Sequence, residues 1–142
     1  MNMKKYSLLL VCIVFSLVSM AQKPMINFEV KTFDFGKINE KDGSVTHVFD
    51  FSNKGDAPLV VNRVQASCGC TTPVWTKEPI EPGKTGAITV TYHAGGRPGM
   101  FTKSITVYTN DTQEQVVLII KGEVIPIPKV PETAPTTVSK AN

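Results

Sequence analysis

From Ile26 onward apolar and polar residues alternate with a period of two. Turn formers interrupt the alternation roughly every eight to twelve residues, a rhythm that predicts an all-β sandwich or barrel and no helix. The first strands are expected at Ile26 to Val30 and at Thr32 to Phe35, ending on Gly36. A loop through Lys41, Asp42 and Gly43 leads to a strand from Ser44 to Ser52, with Val45, His47, Phe49 and Phe51 on one face. The run Asn53-Lys54-Gly55-Asp56-Ala57-Pro58 is rich in turn formers, so the strand from Leu59 to Ser67 is expected to return antiparallel beside the preceding one.

Cys68-Gly69-Cys70 follows that strand, and a short strand is expected at Val74 to Lys77. Pro79 and Pro82-Gly83 then break the chain before the alternating run Gly86 to His93. Ala94 to Gly99 reads as a hairpin turn into the strand Met100 to Thr109. Its glycines lead into a strand rather than a helix, which removes a phosphate-loop reading. After the loop Asn110 to Glu114, Gln115 to Val124 is apolar on both faces and is expected to be well buried.

The first 21 residues differ in kind. Lys4 and Lys5 precede an apolar run from Leu8 to Val18 and a small-residue ending at Ser19 and Ala21, the pattern of a secretory signal peptide (1–21). The run is too short for a spanning helix, and bulky Val11 before Cys12 argues against a lipid-modified cysteine. No transmembrane segment is expected in the mature chain. Removal of Lys4 and Lys5 takes away most of the formal charge of +3, so the sequence gives no reason to expect a nucleic-acid partner. Export also places the remaining cysteines in the periplasm or outside the cell, where a disulfide can form and persist. Residues 22–125 have the size of one domain, and the Pro- and Thr-rich stretch 126–142 cannot bury a core and reads as a disordered tail.

Several phrases in fixed order resemble a bacterial family, the domain of unknown function family 1573. They are Phe33-x-Phe35-Gly36-x-Ile38, Phe49-x-Phe51-x-Asn53-x-Gly55 and Ser67-Cys68-Gly69-Cys70-Thr71, then Pro79-Ile80-x-Pro82-Gly83, Arg97-Pro98-Gly99-x-Phe101, Thr109-Asn110 and Gly122-x-Val124. The resemblance implies a fold similar to Hydin-type and major-sperm-protein-like immunoglobulin domains, an antiparallel β-sandwich of about seven to eight strands. It implies no particular activity.

In such a sandwich the strands ending at Ser67 and His93 run toward the end where the strand at Ser44 begins. That direction gathers His47, Cys68, Cys70, His93 and Met100 at one end of the domain. Two thiolates with imidazole nearby suit copper(I) or, less well, zinc, which makes Cys68, Cys70 and His47 a candidate metal site. His47 shares the parity of Phe49 and Phe51, so a packed core histidine is the plainer alternative. A Cys68–Cys70 disulfide is the other use of the pair, because Gly69 lets the backbone turn tightly. Such a bridge is either a loop staple or a site of thiol exchange. The reading taken forward is an exported structural or protein-binding module with no enzyme activity, no required cofactor and an unidentified protein partner. A soft-metal or thiol-redox protein is the alternative.

Overall fold

The computed structural model describes residues 22–113 and 115–128. The signal-peptide reading and nearly all of the expected tail lie outside them. Among the described residues eight strands form two four-stranded sheets packed face to face: β1 (Ile26–Phe28), β2 (Thr32–Asn39), β3 (Ser44–Asn53), β4 (Val61–Ala66), β5 (Thr71–Trp75), β6 (Thr85–His93), β7 (Gly99–Thr109) and β8 (Gln115–Ile125). One sheet has the order β1-β3-β6-β5 and the other β2-β8-β7-β4. All neighbours are antiparallel except β2 and β8, which run parallel. A single turn of 3-10 helix, Glu40–Asp42, joins β2 to β3.

Period two becomes layering. Phe49 and Phe51 of β3 and Ile88, Val90 and Tyr92 of β6 are buried, as are Ile105 and Val107 of β7 and Leu118, Ile120 and Val124 of β8. These inward faces form one core, in which the Tyr92 and Phe101 rings stack with centroids 3.9 Å apart. β3 and β6 pair antiparallel from Ser44↔His93 to Ser52↔Thr85, so β6 ends beside the start of β3.

Five local expectations change. The strand after Pro58 does not pair with β3; it crosses to the other sheet and pairs with β7. The crossing is fixed at one end of the sandwich by buried Asn53, whose Nδ2 donates to the carbonyls of Ala57 (2.7 Å) and Ile80 (2.8 Å). Leu59 and Ile80 exchange backbone hydrogen bonds there as well. Residues 94–99 likewise arch between sheets rather than closing a hairpin, held by Ala94 and Gly95 N–H groups donating to the Gly43 carbonyl. Gly96 (φ 72°) and Gly99 (φ 104°) take the left-handed backbone that this arch requires.

β8 is buried on one face only, with Val117 exposed, because no layer covers the outer side of its sheet. β2 continues past Gly36 to Asn39. Gly36 (φ 64°) absorbs a register shift between Asp34 and Lys37, and its N–H donates to Asp34 Oδ1 at 2.8 Å. The short strand expected at Val74 to Lys77 begins earlier, at Thr71, immediately after the cysteine loop.

Candidate functional site

The cysteine loop closes one end of the sandwich. β4 ends where Ser67 N–H donates to the Ser104 carbonyl of β7 (2.9 Å), and the chain then turns, with Thr71 N–H donating to the Cys68 carbonyl (3.3 Å). Cys68 and Cys70 form a disulfide across Gly69, their α-carbons 5.2 Å apart. Cys70 belongs to the core, with 7% of its surface exposed, whereas Cys68 is half-buried at its margin. A loop this small gains about 1.6 kcal/mol by chain entropy, a minor part of a domain's stability.

Thr71 lies beside the bridge and is buried, with 4% of its surface exposed. Its hydroxyl oxygen sits 3.7 Å from Cys68 Sγ and 3.8 Å from Cys70 Sγ. Beside the loop, His93 N–H donates to the Cys70 carbonyl (2.9 Å). The His93 ring lies between Ser44 Oγ, 3.0 Å from Nδ1, and Thr72 Oγ1, 3.2 Å from Nε2. Arg97 caps the end of β6 by donating to the His93 and Gly95 carbonyls.

His47 does not join this group. The row His47–Val90–Pro73 places it two strands from β5, and Cys70 lies three residues further along, a backbone separation of roughly 14 Å. Its ring stacks on Phe33 (centroids 3.6 Å, planes 9° apart) and meets Phe49 edge-on at 4.6 Å. Burial pushes its pKa below the ordinary value, and the Asp50 carboxylate pulls partly back. Met100 is 89% exposed, four residues along β7 from the Ser104 that pairs with Ser67, or about 13 Å. The expected gathering of five residues thus reduces to Cys68, Cys70 and His93. Run direction placed these three correctly. It could not say on which side of the sandwich His47 would lie.

Among the described residues no group of three or more His, Cys, Asp or Glu side chains is placed to hold a metal ion. Bridged sulfurs also offer no thiolate ligand.

The second feature lies on the side where His47 sits and was not legible in the sequence. β1 pairs with β3 only from Phe51 to Asn53, so the ladder leaves β3 uncovered from Ser44 to Asp50. A groove of about 460 Å³ runs beside that edge, floored by Phe33, His47, Phe49 and Phe51. Val30 (54% exposed) and Val48 (44% exposed) line it, with Glu29 and Asp50. The outer edges of β2 and β5 are protected. β2 is broken at Gly36, β5 carries Pro73, and Trp75 Nε1 reaches across from β5 to donate to the Val61 carbonyl of β4 at 3.3 Å.

Two stacked sheets with crossing connections define an immunoglobulin-like β-sandwich. The chain belongs to the family described as protein of unknown function (DUF1573), whose model matches residues 26–124. Solved structures similar to it include a protein of unknown function from Porphyromonas gingivalis W83, 19% identical, covering 77% of this chain and 50% of that one with a TM-score of 0.62. The PapD-like domain 7 of human CEP192 is 12% identical, with coverage of 78% and 97% and a TM-score of 0.58. The secreted serine protease VesC from Vibrio cholerae is 13% identical over 70% of this chain and 23% of that one, with a TM-score of 0.53. The chain therefore spans half or less of the P. gingivalis protein and of VesC, and these likenesses concern the fold. No curated protein sequence matches the chain.

Proposed function

We propose that this protein is an exported immunoglobulin-like module, related to the Hydin-type and major-sperm-protein-like domains, that binds another polypeptide as an added strand along β3. The observation that carries the reading is the uncovered edge of β3 from Ser44 to Asp50, lying beside an apolar groove. An edge offers unpaired N–H and C=O groups at alternate positions, and a groove beside it takes every second side chain of an incoming strand. Asp50 is the one charged residue of β3, so the edge lacks the lysines that commonly deter pairing. The partner is an extended segment with apolar residues at alternate positions and a basic residue facing Glu29 and Asp50. Export rests on the leader features at 1–21. No described helix is long and apolar enough to cross a membrane.

A photo-crosslinking residue placed at Val30 or Val48 in exporting cells should give one adduct of fixed mass. The same probe at Val117, on the outer face of the other sheet, should give none. Asp50→Lys should weaken the groove adduct by about tenfold, corresponding to loss of one favourable charge contact. Equal adducts from all three positions, or none from the groove, would overturn the reading.

A further inference from the structure

We infer that the Cys68–Cys70 bridge is a thiol-exchange site that oxidises a pair of thiols in an extended polypeptide, with the Thr71 hydroxyl as the donor that stabilises the departing thiolate. This inference is independent of the groove beside β3, which lies on the other side of the sandwich.

Three observations converge on the bridge. The first is Thr71. Its hydroxyl is buried and lies within hydrogen-bonding reach of both disulfide sulfurs, at 3.7 and 3.8 Å. A bridged sulfur is a weak acceptor, whereas a thiolate is a strong one. A buried hydroxyl aimed at both sulfurs therefore gains most when the bridge is open, which favours the reduced form over the oxidised one. Staple geometry alone gives no reason for that donor.

The second observation is the asymmetry of the two sulfurs. Cys70 is in the core and Cys68 is at the margin. Beside them, a β-carbon added to Gly69 would meet nothing within 4 Å, so the approach to the loop is open. An incoming thiolate thus reaches Cys68 Sγ. A substrate–Cys68 disulfide forms, the Cys68–Cys70 bond breaks, and its electron pair goes to Cys70 Sγ, which accepts the Thr71 hydrogen bond. A second thiolate of the same substrate then attacks the substrate sulfur of the mixed disulfide and expels the Cys68 thiolate. In sum, two substrate thiols become one disulfide, and the bridge becomes two thiols after taking up the two protons released by the substrate. The bridge itself is the oxidant.

The third observation is the vacancy beside the loop. The ladder between β4 and β7 ends at Ser67 and Ser104, but β7 begins five residues earlier, at Gly99. Where β4 would have continued, the chain turns away through Cys68. The β7 edge from Met100 to Lys103 is left without a partner on that side among the described residues. An extended polypeptide lying there continues the line of β4 and passes the half-buried sulfur, which selects a polypeptide dithiol over a small thiol.

The test uses the oxidised exported chain and a reduced synthetic peptide carrying two cysteines, quenched in acid and weighed by mass spectrometry. The peptide should lose two hydrogens as the chain gains two. In Cys70→Ser, challenged with the symmetric disulfide of a peptide carrying one cysteine, a mixed disulfide should accumulate at Cys68. Cys68→Ser should react more slowly, by about tenfold or more, because its remaining thiol is buried. In glutathione buffers, Thr71→Val should shift the equilibrium about tenfold toward the bridge, a fall of ~30 mV for this two-electron couple, and Thr71→Ser should restore it. The inference is overturned if the wild-type chain transfers no hydrogens, if both single-cysteine variants react alike, or if Thr71→Val equilibrates as wild type does. The wild-type transfer decides the matter even where a variant folds poorly.

Discussion

Asn53 shows how much one side chain can hold. It is fully buried, donates to the Ala57 and Ile80 carbonyls, and accepts from the N–H groups of Gly55 (2.9 Å) and Met25 (3.3 Å). All four positions of its amide are in use, each for a backbone group that water would otherwise satisfy. Asn53→Ala should therefore lower stability by about 3 kcal/mol, since buried backbone groups are left unpaired as well as bonds lost. Urea denaturation checks this, and a loss below about 1 kcal/mol would mean that water replaces the amide. His47 makes the contrasting case. Burial disfavours its imidazolium, so its folded pKa lies below the ordinary 6.5. Between the folded value and 6.5 the unfolded chain binds a proton that the folded chain resists. Stability rises with pH through that window and falls on acidification through it. His47→Phe keeps a ring on Phe33 and removes the titration, so its urea midpoint should change less than that of wild type between about pH 7 and 5. An equal decline in both proteins would place the acid sensitivity elsewhere.

At the scale of elements, close approach decides which sequences β6 can have. Gly86 lies opposite Phe51 in the ladder, and a β-carbon there would stand 2.5 Å from Phe51 Cζ and 2.7 Å from Ile80 Cδ1. Gly86 is thus the space into which the Phe51 ring and Ile80 pack, at the end of the sandwich that Asn53 closes. Gly86→Ala should cost about 2 kcal/mol through displaced core side chains, measured by chemical denaturation. An unchanged midpoint would show that the ring swings aside freely. Gly122 plays a similar part on β8, where a β-carbon would meet the Phe101 ring and the Gly36 carbonyl. The same scale separates the two candidate sites. The β3 groove exists because β1 is three residues long, and the vacancy beside β7 exists because β4 stops at Ala66.

For the whole molecule, the sequence by itself determined which side chains turn inward. Alternation put Phe49, Phe51, Ile88, Val90 and Tyr92 in the core, and punctuation by Pro and Gly set the strand count, because a period of two is a property of the strand backbone alone. It also brought the cysteine pair and His93 to the same end, since direction along a strand follows from chain order. Pairing was another matter. Turn-rich residues 53–58 and 94–99 read as hairpins, yet both carry the chain between sheets. Whether such a segment folds back or crosses over depends on distant groups, here Ile80 and Gly43, whose positions no local pattern records. Tertiary structure alone decided that His47 lies against Phe33 rather than the sulfurs, that one face of β8 meets water, and that Thr71 points its hydroxyl at the bridge. A strand's sequence specifies its two faces, but its neighbours and its uncovered edges are set by how two whole sheets close on a shared core.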